Sequence, residues 1–401
     1  MWKPQTTHSM TESLEPKGSF FYNETMENIN LMEYIKWRGD LTFEASAFNE
    51  VDALIFSRLA YIPFEKIISG DFDKKTEIGV ACHMMMDLPD QDQLYLLEDD
   101  KTLIEKVLLA DRYKHLKMMG AVSQIDLLQE KQFSAITIEM APALHFISFR
   151  GTDNTIVGWK EDFNMAFMTP VPSQLTAVQY VEQAYAELHT DLILGGHSKG
   201  GNLALFATAF SSKTMIDRIR TTYNFDGPGF ETRVVKLPEY ENAISKMHTY
   251  IPDTSIIGQI LNHTEDMTIV KSIQKGIYQH DVYSWQVEGP RFVRQALSDE
   301  SALFDRTLEE WLSQIEPEQR KDVVDAVYSM IDDNQGRTLK EIKGNWQTLF
   351  QNMISKYHNL DTETKKNIGD SLGSLITRMA SNQIEYKKNN RTKKRGNHES
   401  Q

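Results

Sequence analysis

Gly196-His197-Ser198-Lys199-Gly200 is the segment of this sequence best suited to chemistry. A serine with glycine two positions away on either side fits a sharp strand-to-helix turn, where larger flanking side chains would strike backbone. The surroundings suit that turn. Leu192-Ile193-Leu194 is an apolar run directly before it, and Asn202-Leu203-Ala204-Leu205-Phe206-Ala207 is helix-compatible directly after it. A serine so presented can act as a nucleophile once a neighbouring base takes its proton. The N–H groups that open the following helix favour developing negative charge, which makes the Lys199 N–H one candidate oxyanion donor. A second donor is expected from the loop after an earlier strand. Phe149-Arg150-Gly151-Thr152-Asp153 follows the extended run Leu144 to Phe149, and Thr152 would supply the N–H.

These residues need a scaffold, and the middle of the chain provides the pattern for one. Extended segments at 134–139, 144–149, 192–194, 221–225, 247–251 and 282–287 alternate with helical ones at 176–188 and 202–210. Such alternation predicts a mostly parallel central sheet covered on both faces. Helical spacing dominates before it, including a stretch over 102–118, and again after it. The expected organisation is a disordered N-terminus (1–25), a helical N-terminal region (26–120), an α/β-hydrolase core (121–297), a helical C-terminal appendage (298–385) and a basic disordered tail (386–401).

Ile147-Ser148-Phe149-Arg150-Gly151-Thr152, then Trp159 and Asp162, then Gly196-His197-Ser198-Lys199-Gly200-Gly201 resembles the class 3, fungal-type lipases. That family shows F-R-G-[ST], W-x-x-D and G-H-S-x-G-G in this order. The resemblance spans about residues 130–290, and Asn49-Glu50-Val51-Asp52-Ala53-Leu54 further resembles a bacterial branch called Mbeg-like. It implies a triad in the chain order serine, acid, histidine. Among the later histidines, His280 in Tyr278-Gln279-His280-Asp281 sits in the kind of late loop where the family keeps its base, with His263 as the alternative. For the acid, Asp253 follows the second strand after the elbow and is preferred over Asp226, which follows the first. The family's lid, placed after the F-R-G segment, would fall at 155–163, with Trp159, Phe163, Phe167 and Met168 as lid or acyl-pocket residues. Two departures stand out. Lys199 puts a charge beside the nucleophile, and the N-terminus lacks a basic start followed by an apolar stretch.

The implied activity is hydrolysis of a carboxylic ester of a lipid or acylated small molecule, without metal or other cofactor. A dormant scaffold with the same fold, or an acyltransferase or peptidase using the same triad, remains as a competing reading. Composition narrows the field. One cysteine, Cys82, precludes an intramolecular disulfide, and a net charge of −14 disfavours nucleic acid as a partner. No apolar run of about 18 residues suggests a membrane span. A cytoplasmic location is expected, with weak peripheral membrane contact through Lys387, Lys388, Arg391, Lys393, Lys394 and Arg395. Oligomeric state has no signature in the sequence.

Overall fold

The computed structural model describes residues 29–297, apart from 90, 153–160, 162–164, 166–168 and 256. The expected helical appendage, basic tail and N-terminal segment lie outside those residues, as do Trp159, Phe163, Phe167 and Met168.

An eight-stranded sheet runs in sequential order: β1 (Thr76–Glu77), β2 (Lys117–Asp126), β3 (Lys131–Ala141), β4 (Leu144–Phe149), β5 (Asp191–His197), β6 (Ile219–Phe225), β7 (Met247–Pro252) and β8 (Asp266–Val270). Pairings from β1 to β4 are antiparallel, and those from β4 to β8 are parallel. The parallel strands carry the serine turn and the loops around it.

Side-chain alternation along the strands sorts the core into two layers. On β4 and β5, Phe146 and Ile193 face the N-terminal helices α1 (Leu31–Arg38), α2 (Glu50–Leu59), α3 (Ile78–Met86) and α4 (Glu98–Leu109). Ile147, Phe149, Leu192 and Leu194 face the opposite layer, built by α5 (Pro172–Leu188) and α6 (Lys199–Phe210) through Ala177, Val181, Leu203 and Ala207. Asn30 caps α1, accepting from Met32 N–H and Glu33 N–H. Asn49 and Asp52 form a reciprocal capping box at the start of α2.

Two buried ion pairs fasten the N-terminal helices. Arg58 grips Asp100 with Nε and Nη2 at 2.6 and 2.7 Å, and Arg112 grips Asp52 the same way at 2.7 and 2.6 Å. Tyr283, from the far end of the fold, also donates to Asp100, at 2.7 Å.

Two sequence expectations are corrected. The helical stretch over 102–118 ends earlier, because Lys117 onward pairs with Glu139 as a strand. The segment 282–287 is a 3₁₀ turn over Val282–Ser284 followed by a two-residue strand, Val287–Glu288. Strands β1, β2 and β8 had no counterpart among the expected extended segments.

Candidate active site

Ser198 stands at the junction of β5 and α6, with φ 59° and ψ −134°. This is a region that non-glycine residues rarely occupy, and holding a serine there costs energy that the surrounding packing must supply. The glycines make it sterically feasible. A Cβ on Gly196 would overlap the backbone of Gly200, and one on Gly200 would overlap the Phe149 carbonyl. Ser198 N–H donates to the Phe225 carbonyl at 2.9 Å, tying the turn to the end of β6.

The loop after β4 comes against this turn from the other side. Gly151 lies so close that a Cβ there would sit 3.1 Å from Ser198 Cβ and overlap the Tyr61 hydroxyl. Thr152 therefore follows directly on a residue in contact with the serine. Lys199 is the first residue of α6, as its oxyanion assignment requires of its N–H.

The Lys199 side chain goes elsewhere. It is buried, with Nζ 3.0 Å from Glu161 Oε2, 2.9 Å from the Gln132 carbonyl and 3.0 Å from Gln132 Oε1. Glu161 also accepts from Gln132 N–H at 2.9 Å and from Ser173 N–H at 3.0 Å. The expectation that this charge stands beside the nucleophile is corrected: the helix directs it into the interior, where Glu161 neutralises it. Glu161, which sequence reasoning passed over, lies next to the Asp162 of the W-x-x-D segment.

His280 Nδ1 lies 2.6 Å from Asp226 Oδ2, and the Asp226 side chain is fully buried. Ser255 Oγ donates to the same oxygen at 2.7 Å. Asp226 Oδ1 is buried without a hydrogen-bond partner among the described residues, so the carboxylate's bonds converge on Oδ2. The choice of Asp253 as the histidine's acid is thus corrected to Asp226. The physical reason is local. Asp226 directly follows β6, the strand next to β5, and its φ of 53° turns the chain sharply there. Asp253 lies one strand further out, and its carbonyl accepts from Gln259 Nε2 at 2.8 Å. Asn224 holds the Asp226 loop from within, accepting from Gly227 N–H at 3.0 Å, while Asn202 Nδ2 on α6 donates to the Pro228 and Gly229 carbonyls at 3.0 Å.

His197 completes the arrangement. Its Nε2 lies 2.9 Å from the His280 carbonyl, and its Nδ1 lies 3.0 Å from the Tyr61 hydroxyl. A carbonyl can only accept, so Nε2 carries the proton, and the one Tyr61 hydroxyl proton is shared between Nδ1 and the His197 carbonyl, each 3.0 Å away. Burial, reinforced by the nearby His280 and Arg58, holds the His197 pKa well below the usual imidazole range, so it stays neutral. The alternative base, His263, is engaged in a different pair, with Nδ1 2.7 Å from the buried Glu265.

Strand, elbow and helix, with loops converging from β4 and β6, define the α/β-hydrolase class. The chain belongs to the Mbeg1-like family, whose model matches residues 107–329. No curated protein matches it in sequence. Among solved structures, the native Rhizomucor miehei lipase propeptide complex is similar at 12% identity and a TM-score of 0.35, over 55% of this chain and 67% of that one. The M37 lipase is similar at 13% identity and a TM-score of 0.32, over 63% and 84%. No helix among the described residues is long and apolar enough to cross a membrane.

Proposed function

We propose that this protein is a serine esterase that cleaves carboxylic esters of a lipid or acylated small molecule through an acyl-enzyme. The observation that carries this reading is the His280–Asp226 pair at 2.6 Å, with the His280 carbonyl 2.9 Å from Nε2 of His197, the residue that precedes a serine with φ 59°.

With Nδ1–H donated to Asp226, His280 presents Nε2 as a base. It takes the Ser198 Oγ proton as Oγ bonds to the ester carbonyl carbon, and Asp226 stabilises the resulting imidazolium. The tetrahedral oxyanion is received by the N–H groups of Thr152 and Lys199, each worth about 2.7–4 kcal/mol in such a site. His280 then returns the proton to the leaving alcohol. Water attacks the acyl-enzyme with His280 again as base, and the carboxylic acid leaves.

The test is labelling with a fluorophosphonate probe alongside turnover of short- and long-chain esters. Wild-type protein should label and turn over, and Ser198→Ala should lose both, with kcat down by about a millionfold. A wild-type protein that neither labels nor turns over any ester, with or without detergent, refutes the reading.

A further inference from the structure

The end of the sheet that carries Ser198 also carries exposed apolar side chains on both flanks. On one flank is the β2–β3 hairpin. β3 runs antiparallel to β4, so its start points the same way as the end of β4. Ala135 pairs with Phe149, and Lys131 lies four residues nearer the tip. Phe149 in turn pairs with Gly196, two residues short of Ser198. At about 3.3 Å per residue, the hairpin extends about 13 Å past the end of β4, against about 7 Å for Ser198. The tip therefore projects beyond the nucleophile on its own side of the molecule.

At that tip, Leu128 is 98% exposed, Leu127 74% and Ile125 52%. Hairpin turns ordinarily take small polar residues, whereas adjacent leucines in water are unfavourable. The turn is built rather than loose, because Asp126 Oδ1 accepts from Leu128 N–H at 2.9 Å and Gln129 N–H at 3.0 Å. On the other flank, the segment that leads to His280 exposes Ile273 (51%) and Tyr278 (44%). Thr254, just past β7, ties that segment to the same end of the sheet, accepting from Gly276 N–H at 2.9 Å. The exposed Lys271 and Lys275 bracket Ile273.

We propose that this rim is a docking surface for a lipid bilayer bearing anionic headgroups, with Leu127 and Leu128 as its apolar anchor. The inference deepens the esterase reading and rests on it for its purpose: docking in this orientation turns the Ser198 end of the sheet towards an acyl-ester substrate held in the membrane. Apolar tips flanked by exposed lysines on the other side match the layering of a bilayer surface, with hydrocarbon below and anionic headgroups above. Lys271 and Lys275 on one flank and Lys131 beside the leucines supply the charge complementarity, opposed at the hairpin tip by Asp126 and Glu130, within a chain of net charge −14.

The test is flotation of the full chain with vesicles of phosphatidylcholine mixed with phosphatidylglycerol. Wild-type protein should float with the vesicles. The double variant Leu127→Ser/Leu128→Ser should lose partitioning by about tenfold or more, as expected for two leucines withdrawn from hydrocarbon, while its turnover of a soluble short-chain ester stays within about twofold. Ile273→Ser, on the opposite flank, should weaken flotation independently and guards against a folding defect in the hairpin. Wild-type protein that stays at the bottom of the gradient, or a double variant that floats as well as wild type, overturns the docking surface. Protein that floats but turns over no ester and takes no fluorophosphonate overturns the esterase reading instead.

Discussion

The imidazole of His197 bonds the main-chain carbonyl of His280 at 2.9 Å, and the two rings lie 4.4 Å apart. The residue before the proposed nucleophile thus holds the backbone of the residue proposed as base. Tyr61 fixes the far side of that imidazole from the N-terminal helical region. Tyr61→Phe keeps the ring but removes the hydroxyl that contacts both Nδ1 and the main-chain carbonyl of His197. We expect kcat to fall about three- to tenfold with KM little changed, the equivalent of one net hydrogen bond. Steady-state kinetics on a soluble ester read the split, and an unchanged kcat would remove Tyr61 from the positioning of His280.

The two aspartates separate cleanly by substitution. Asp226→Asn preserves shape but no longer fixes Nδ1–H, and kcat should drop by about 10⁴-fold, the usual consequence of the wrong imidazole tautomer. Asp253→Asn should change kcat by less than about threefold, an effect of under 1 kcal/mol. The reverse ranking would restore Asp253 as the acid.

Lys199→Met leaves Glu161 buried without its cation. Breaking a buried pair from one side costs about 3–5 kcal/mol, so urea denaturation should show a large loss of stability. Because the ammonium faces the interior, the ratio of short- to long-chain ester turnover should stay at the wild-type value.

Glu265 gives the fold a defined acid sensitivity. Burial by itself would raise its pKa, yet His263, the Thr249 hydroxyl and a backbone N–H bring it down from 4.5 to about 2. A carboxylate whose folded pKa is depressed stabilises the fold above about pH 4.5, and that contribution disappears as pH falls towards 2. The contribution is of order 3 kcal/mol. Guanidinium denaturation should therefore show Glu265→Gln less stable than wild type at neutral pH, with the gap narrowing at pH 3.

The serine turn was legible in the sequence because steric crowding permits little but glycine at positions 196 and 200. Strands β3 to β7 were legible as extended runs separated by turns and helical segments. β2 escaped because its apolar start, Met118 and Met119, continues a helical spacing across Lys117, and only pairing with β3 decides between the two. β8 escaped because Asp266 and Met267 are exposed, leaving too short an apolar signature. Asp226 and Asp253 each follow a strand, and what separates them is a backbone dihedral and a side-chain direction. Neither is written in residue type. The same holds for Lys199, whose destination depends on where Glu161 arrives.

The family match begins at residue 107, but the physical unit that holds His280 in place begins some eighty residues earlier. Asn30 donates to the Tyr283 carbonyl, Asp100 receives the Tyr283 hydroxyl, and Glu50 receives both Tyr250 and the Phe292 N–H. Each bond reaches from the N-terminal helices to the strands and loops that border the site. The upstream helices therefore share one hydrophobic core with the central sheet and are not an ornament on it. Proteolytic trimming to the family boundary would uncover the Phe146 and Phe225 face of the sheet and cut the segment after His280 loose at once. Inheritance and integrity divide this chain at different places: a boundary drawn by shared sequence falls inside a single packed core.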